Sequence, residues 1–187
     1  MSSPYTVTRH TVLYEGRVYT IERDDVRHAS GYEAVREVVR HDGGAVVVPL
    51  YDNHDVLLIR QYRYPVDEEI IELPAGKLGA DEDPRDCAVR ELREETGCTA
   101  SSVKKLTAMM TTPGFCSEVL HIFLALGLRD GTQQLEEGEE SIALVRVPLS
   151  EAVAMCRDGR IRDGKTVTGL MLAALEVGFF RDTAMQE

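Results

Sequence analysis

The sequence predicts an α/β fold in which a strand-rich N-terminal part precedes a mixed strand-and-helix part. Three observations predict it. Ala45-Val46-Val47-Val48-Pro49-Leu50 is a continuous apolar run, the pattern of a strand buried on both faces. Between Asp83-Pro84 and Gly97 lies a stretch with a helix start and a helix stop: Asp caps, Pro fits the first turn, and Gly ends it. Residues 5–40 show β-branched and aromatic clusters separated by turn residues, which read as antiparallel strands. The expected division is 1–42 as an N-terminal antiparallel β unit and 43–187 as the main domain.

In chain order, Thr6–Thr8 with Thr11–Tyr14 predicts a first strand, Glu15-Gly16 a turn, and Val18–Ile21 a second strand. Ala29-Ser30-Gly31 predicts another turn, and Tyr32–Val39 a third strand. Ala45–Leu50 and Val56–Ile59 follow as strands around the turn Asp52-Asn53. The second of these runs into Arg60-Gln61-Tyr62-Arg63-Tyr64. That cluster is either a strand end with solvated arginines or a site for an anion, which the arginine fork binds in pairs of bonds. Ile70–Leu73 reads as a strand and Pro74-Ala75-Gly76 as a turn into a loop. After the helix, Val103–Met110, Val119–Leu126 and Ile142–Val147 read as strands. Leu149–Arg157 and Thr166–Leu175 read as helices, with Asp163-Gly164 as the turn between them. Arg129–Ser141 is a polar, acidic loop, by composition an exposed charge run.

The informative stretch is Gly76–Cys98, GKLGADEDPRDCAVRELREETGC. Residues three and four apart share a helix face, so Glu91, Glu94 and Glu95 crowd their carboxylates beside Arg90, while Ala88 and Leu92 lie on another face. Like charges at this spacing cost a helix about 0.2–0.5 kcal/mol per pair. A solvated charged face is one reading. A hard divalent cation is the other, because Mg²⁺ takes oxygen ligands and is held by a few carboxylates plus substrate phosphates. Glu82, ahead of the helix, is placed to reach back to Arg90.

Composition narrows the classes. The 187 residues carry a net charge of −11, which argues against a nucleic-acid-coating surface and asks for cations wherever an anionic substrate would bind. Cys87, Cys98, Cys116 and Cys156 form no CxxC pair and no zinc spacing, as expected of reduced thiols in the cytoplasm. MSSPYTVTRH has no apolar signal core, and no run of about 18 apolar residues predicts a membrane span. His10, His28, His41, His54 and His121 are scattered without metal-ligand spacing.

The spacing Gly76, Glu82, Arg90-Glu91-Leu92, Glu94-Glu95, Gly97, Cys98 resembles the Nudix box, Gly-x5-Glu-x7-Arg-Glu-U-x-Glu-Glu-x-Gly-U, with U a bulky aliphatic residue. The departure is Cys98 at the last U, where a buried cysteine serves as a smaller hydrophobe. Further matches resemble the ADP-ribose pyrophosphatase branch: Gln61-Tyr62-Arg63, then Glu72-Leu73-Pro74-Ala75-Gly76, and Pro113-Gly114-Phe115-Cys116-x-Glu118 with Pro113 sixteen residues after Gly97. Cys116 stands where serine is common. Read alone, Pro113-Gly114 is a β-turn.

The resemblance implies a mixed sheet sandwiched by helices, and hydrolysis of the pyrophosphate of ADP-ribose to AMP and ribose 5-phosphate with Mg²⁺ or Mn²⁺. It implies Glu91, Glu95 and the main-chain carbonyl of Ala75 as metal ligands, Glu94 as a ligand or near-ligand, and Arg90 as an orienting group. It implies substrate contacts from Arg36, Arg63, Pro113, Gly114 and Glu118, and a general base supplied by Glu139 or Glu140. It also implies a homodimer through the N-terminal sheet, with Arg36 completing the site of a second copy. Two alternatives stand beside this: hydrolysis of another nucleoside diphosphate derivative, such as a GDP-sugar or a flavin or nicotinamide dinucleotide, and a non-catalytic sensor of ADP-ribose-like ligands. The intact Glu91, Glu94, Glu95 set weighs against the sensor.

Overall fold

The structure is a computed structural model and describes residues 3–135 and 141–179. In chain order its elements are β1 (Tyr5–Glu15), β2 (Thr20–His28), β3 (Glu33–Arg40), β4 (Gly44–Pro49), β5 (Asp55–Arg63), β6 (Glu68–Glu72), β7 (Ala75–Lys77), α1 (Pro84–Thr96), β8 (Thr99–Met110), β9 (Val119–Arg129), β10 (Ala143–Pro148), α2 (Leu149–Asp158) and α3 (Gly164–Glu176). They group into two compact units: Met1–Gly43 with Met110–Val119, and Gly44–Met109 with Leu120–Glu187.

The first unit is a three-stranded antiparallel meander in the order β1-β2-β3. β2 starts at Thr20 and continues to His28, further than its short β-branched run predicts, because both of its edges are paired. Segment 110–119 joins this unit, which a linear division of the chain does not anticipate. The Val39 N–H donates to the Phe115 carbonyl at 2.8 Å, and the Ser117 N–H donates to the Val39 carbonyl at 2.9 Å. Val7, Val12, Leu13 and Tyr14 of β1 are each about half exposed.

The second unit holds two sheets, ordered β7-β4-β9-β8 and β10-β5-β6. The first is mixed: β4 runs parallel to β9 and antiparallel to β7. Alternation along the strands sorts the core into two layers. Val46 and Val48 of β4, Leu58 of β5, and Ile122 and Leu124 of β9 pack with Leu149, Ala152 and Met155 of α2 and with Leu170 and Ala173 of α3. Ala45, Val47, Leu57, Phe123 and Ala125 point the other way and pack with Cys87, Ala88 and Leu92 of α1. The result is an α/β/α sandwich, and the continuous apolar run of β4 is explained by helices on both of its faces.

α1 has the predicted ends. Asp83 accepts a hydrogen bond from the Arg85 N–H at 2.8 Å, Pro84 occupies the first turn, and Gly97 closes the helix at φ +75°. α3 starts at Gly164, earlier than its apolar pattern suggests, because Asp163 caps it by accepting from the Thr166 N–H at 3.0 Å. Pro74-Ala75-Gly76 is not a free turn: Ala75–Lys77 forms β7, paired to Gly44–Val46. None of the described helices is long and apolar enough to cross a membrane.

The α3 face on β4 is tight. A Cβ at Gly169 would lie 2.5 Å from Leu73 Cδ1 and 3.2 Å from Val48 Cγ2. Ala in a helix gains about 1 kcal/mol over Gly, and overpacking a closed core costs about 1–3 kcal/mol. Gly169→Ala is therefore expected to destabilise the protein by about 1 kcal/mol. Urea unfolding checks this, and an increase in stability would show that Leu73 yields freely.

Candidate active site

α1 buries its apolar stripe and turns its charges toward β7 and the loop after it. Arg90 is the hub. Its Nε and Nη2 donate to Glu82 at 2.9 and 3.0 Å, its Nη1 to Glu91 at 2.6 Å and to Glu94 at 3.0 Å, and its Nη2 to the Lys77 carbonyl at 3.3 Å. One guanidinium thus ties the helix to the loop ahead of it and holds two helix carboxylates in place. The two bonds from Arg90 and the Gly79 N–H hold the Glu82 carboxyl down to about 2. Arg90 is itself held above the usual arginine range, first by its bonds to Glu82. Cys87, beneath this array, has its thiol pushed up to about 12, chiefly by burial, and is inert as a nucleophile at neutral pH.

Glu91 and Glu95 are 7% and 2% exposed. Buried carboxylates are costly unless paired or bound to a cation. One Glu95 oxygen accepts the Ala75 N–H at 2.8 Å, which orients it against β7. Gly76 leaves the room that Glu91 needs: a Cβ there would sit 1.6 Å from Glu91 Oε1 and 2.0 Å from its Cδ. The strand glycine of the motif is thus explained by the carboxylate that fills its side-chain position, not by a turn. At the end of α1, the Gln134 N–H donates to the Glu94 carbonyl at 2.8 Å and Gln133 Nε2 to the Glu95 carbonyl at 2.6 Å.

These groups open on a cleft of about 700 Å³, walled by Arg63, Ala75–Ala80, Glu82, Arg90, Glu91 and Glu94. Arg63 enters from the end of β5 and donates Nε and Nη2 to the two oxygens of Glu72, each at 2.7 Å. Glu72 is 1% exposed. Burial opposes its ionisation, but the paired Arg63 bonds and Lys165 outweigh it and keep the carboxyl below its usual range.

The structure brings Arg63, Ala75, Arg90, Glu91, Glu94 and Glu95 together in the second unit. Arg36, Pro113, Gly114 and Glu118 belong to the first unit. Arg36 is exposed on β3, with Nη2 donating to the Tyr5 hydroxyl at 3.3 Å. Pro113-Gly114 is a turn in which the Cys116 N–H donates to the Thr112 carbonyl at 3.0 Å. Glu118 lies 3.5 Å from His41 Nδ1. Glu139 and Glu140 lie outside the described residues.

Sequence reasoning missed Glu72 and Lys165. Glu72 stood inside a matching motif, but its partners lie in other elements. A second cluster, His10, Glu22 and Asp24 on β1 and β2, was also invisible to linear spacing. Its members already have protein partners: His10 Nδ1 lies 2.7 Å from an Asp24 oxygen, and Arg40 Nε donates to Glu22 at 2.6 Å.

Comparison with known proteins places this geometry. Residues 41–169 match the NUDIX domain model. The chain is 37% identical to a methanol dehydrogenase activator of Bacillus methanolicus over 88% of this chain and 89% of that one. It is 34% identical to an ADP-ribose pyrophosphatase of Bacillus subtilis over the same shares. It is 37% identical to a GDP-mannose pyrophosphatase of Yersinia enterocolitica over 84% of this chain and 86% of that one. A crystal structure titled ADP compounds hydrolase shares the fold with a TM-score of 0.83 at 22% identity, covering 95% of this chain and 96% of that one. With the family model matched from β4 to α3 and the charge array of the box assembled on α1, the chain belongs to the NUDIX domain family.

Proposed function

We propose that this protein hydrolyses the pyrophosphate of ADP-ribose to AMP and ribose 5-phosphate in a divalent-cation-dependent reaction. The observation that carries the reading is the cleft in which Glu91, Glu94 and Arg63 face one space, with Glu95 anchored on β7. The donor set fits a hard cation: carboxylates are the preferred ligands of Mg²⁺ or Mn²⁺. Gly76 keeps the Glu91 carboxylate in the cleft wall rather than displaced by a side chain. Glu91, Glu95 and the Ala75 carbonyl would hold the ion, with Glu94 beside them. A bound cation supplies charge neutralisation at the pyrophosphate and a more acidic water.

The chain's own residues do the rest. Arg90 keeps Glu82, Glu91 and Glu94 oriented and spends all of its nitrogens on them and on the main chain, so it serves as a strut and not as a substrate ligand. Arg63 offers a fixed cation to a phosphate oxygen. Water attacks one phosphorus, the bridging P–O bond breaks, and the water proton passes to a base. Glu139 or Glu140 is proposed for that base, because the helix carboxylates are committed elsewhere.

The ADP-ribose pyrophosphatase relative supports this substrate, and the GDP-mannose pyrophosphatase relative supports a GDP-sugar as the second reading. Purified protein with Mg²⁺ is tested on both. AMP release from ADP-ribose at a kcat/KM well above that for GDP-mannose is expected, and the reverse order would transfer the proposal to the GDP-sugar.

The half-exposed apolar side chains of β1, an edge strand whose charged residues are Arg9 and Glu15, support pairing of two copies through the first unit. We propose a homodimer in which Arg36 of each copy serves the site of the other. Light scattering at micromolar concentration should give twice the monomer mass, and a fully active monomer would end this proposal.

A further inference from the structure

The fork of Arg63 is largely spent inside the protein. Nε and Nη2 are taken by Glu72, and Nη1 makes no hydrogen bond among the described residues. The partner is not the near one. In the β5–β6 ladder the residue opposite Arg63 is Glu68, and Glu72 lies opposite Ile59, four positions further along. That is roughly 13 Å of strand at about 3.3 Å per residue. Glu68, the carboxylate a cross-strand pair would use, is bound by Arg162 instead.

The carboxylate that Arg63 reaches for is held from behind. Lys165 Nζ bonds Glu72, and it bonds Asp163 at 3.0 Å. Asp163 also accepts from the Thr166 hydroxyl at 2.6 Å, and Thr166 Oγ1 accepts the Leu73 N–H at 2.8 Å. The start of α3, the end of β6 and the cleft arginine thus converge on one carboxylate that is 1% exposed. Stability alone is a poor reason for this arrangement, since a buried ion pair is often no better than apolar residues of the same volume. Orientation is a better reason: a guanidinium held by two parallel bonds cannot rotate, and one terminal nitrogen is left for an anion.

We propose that Glu72, backed by Lys165, is a positioning residue that holds Arg63 so that Nη1 meets the diphosphate of the substrate. This rests on the functional reading above. From it, Arg63 is expected to tolerate no lysine, which keeps the charge and loses the fork.

The test uses the full-length protein with Arg63→Met, Arg63→Lys, Glu72→Gln, Lys165→Met and the double variant Arg63→Met/Glu72→Gln. The double variant removes both charges, so it remains interpretable if a single one folds poorly. ADP-ribose affinity is measured by calorimetry in EDTA, and KM and kcat with Mg²⁺. Arg63→Met and Arg63→Lys should weaken metal-free binding and raise KM by about 10-fold or more. Glu72→Gln should do so by about 5-fold with a smaller change in kcat, Lys165→Met should shift the same quantities in the same direction, and the double variant should be no worse than Arg63→Met. Multiplying losses in the double variant, or a Glu72→Gln protein with a lower Tm and parental affinity, would overturn the proposal and leave a structural ion pair. Failure of the functional reading shows separately, as a parent protein that binds ADP-ribose without releasing AMP; the affinity comparison still decides the role of Glu72 in that case.

Discussion

Glu95→Gln is expected to fold like the parent protein and to turn over substrate at least about 10²-fold more slowly. The two halves of that expectation have separate causes. The fold should survive because a glutamine has the shape of the glutamate and its carbonyl oxygen can still accept the Ala75 N–H, now made at 2.8 Å. Replacing a carboxylate that is 2% exposed with a neutral amide also removes one charge from a crowded face. Turnover should fall because the amide lacks the charge that a hard cation requires of its ligand. The loss should show as a higher Mg²⁺ concentration for half-maximal rate and as a lower kcat. Circular dichroism and thermal melting check the fold, and steady-state kinetics across a Mg²⁺ titration check the rest. A folded variant with parental turnover at every Mg²⁺ concentration would remove Glu95 from the metal site.

Gly76→Ala is expected to separate activity from stability. The added methyl falls where the Glu91 carboxylate stands, 1.6 Å from Oε1. The obstacle is the far end of a flexible side chain, so Glu91 is displaced and the backbone is not. Gly76 of β7 pairs with Ala45 of β4, and alanine weakens a strand less than glycine does. Stability should therefore change by less than about 1 kcal/mol. Glu91 would leave both the cleft wall and its 2.6 Å bond with Arg90 Nη1. A ligand moved by an ångström or more costs on the order of 10²-fold in rate. Turnover with Mg²⁺ and urea unfolding measured on the same preparation test the separation. Parental turnover would mean that Glu91 is dispensable, and loss of folding would mean that β7 has no room to adjust.

What was legible in the sequence was written over short distances. α1 runs from Pro84 to Thr96 because its cap, its first-turn proline and its terminal glycine act within one turn of the residues they stop. The strands from Gly44 to Pro49 and from Asp55 to Arg63 follow from apolar runs, and the two-layer core follows from alternation along them. The same short-range geometry placed Glu91, Glu94 and Glu95 beside one another and set Glu82 within reach of Arg90.

What only the tertiary structure decided depends on residues far apart in the chain. Ala75–Lys77 becomes a strand because β4 offers it an edge, a fact about pairing that no local propensity carries. Gly76 owes its identity to a carboxylate on a helix fifteen residues later. Segment 110–119 belongs with the first unit through main-chain bonds to Val39. The Arg63–Glu72–Lys165 chain could not be read at all, since Glu72 and Lys165 are 93 residues apart and their attraction exists only once α3 has packed against β4. Caps and periodicity act through the backbone of a single turn and survive in a linear reading. Buried charges choose partners by distance after burial has removed water, and those distances are set by packing of the whole unit.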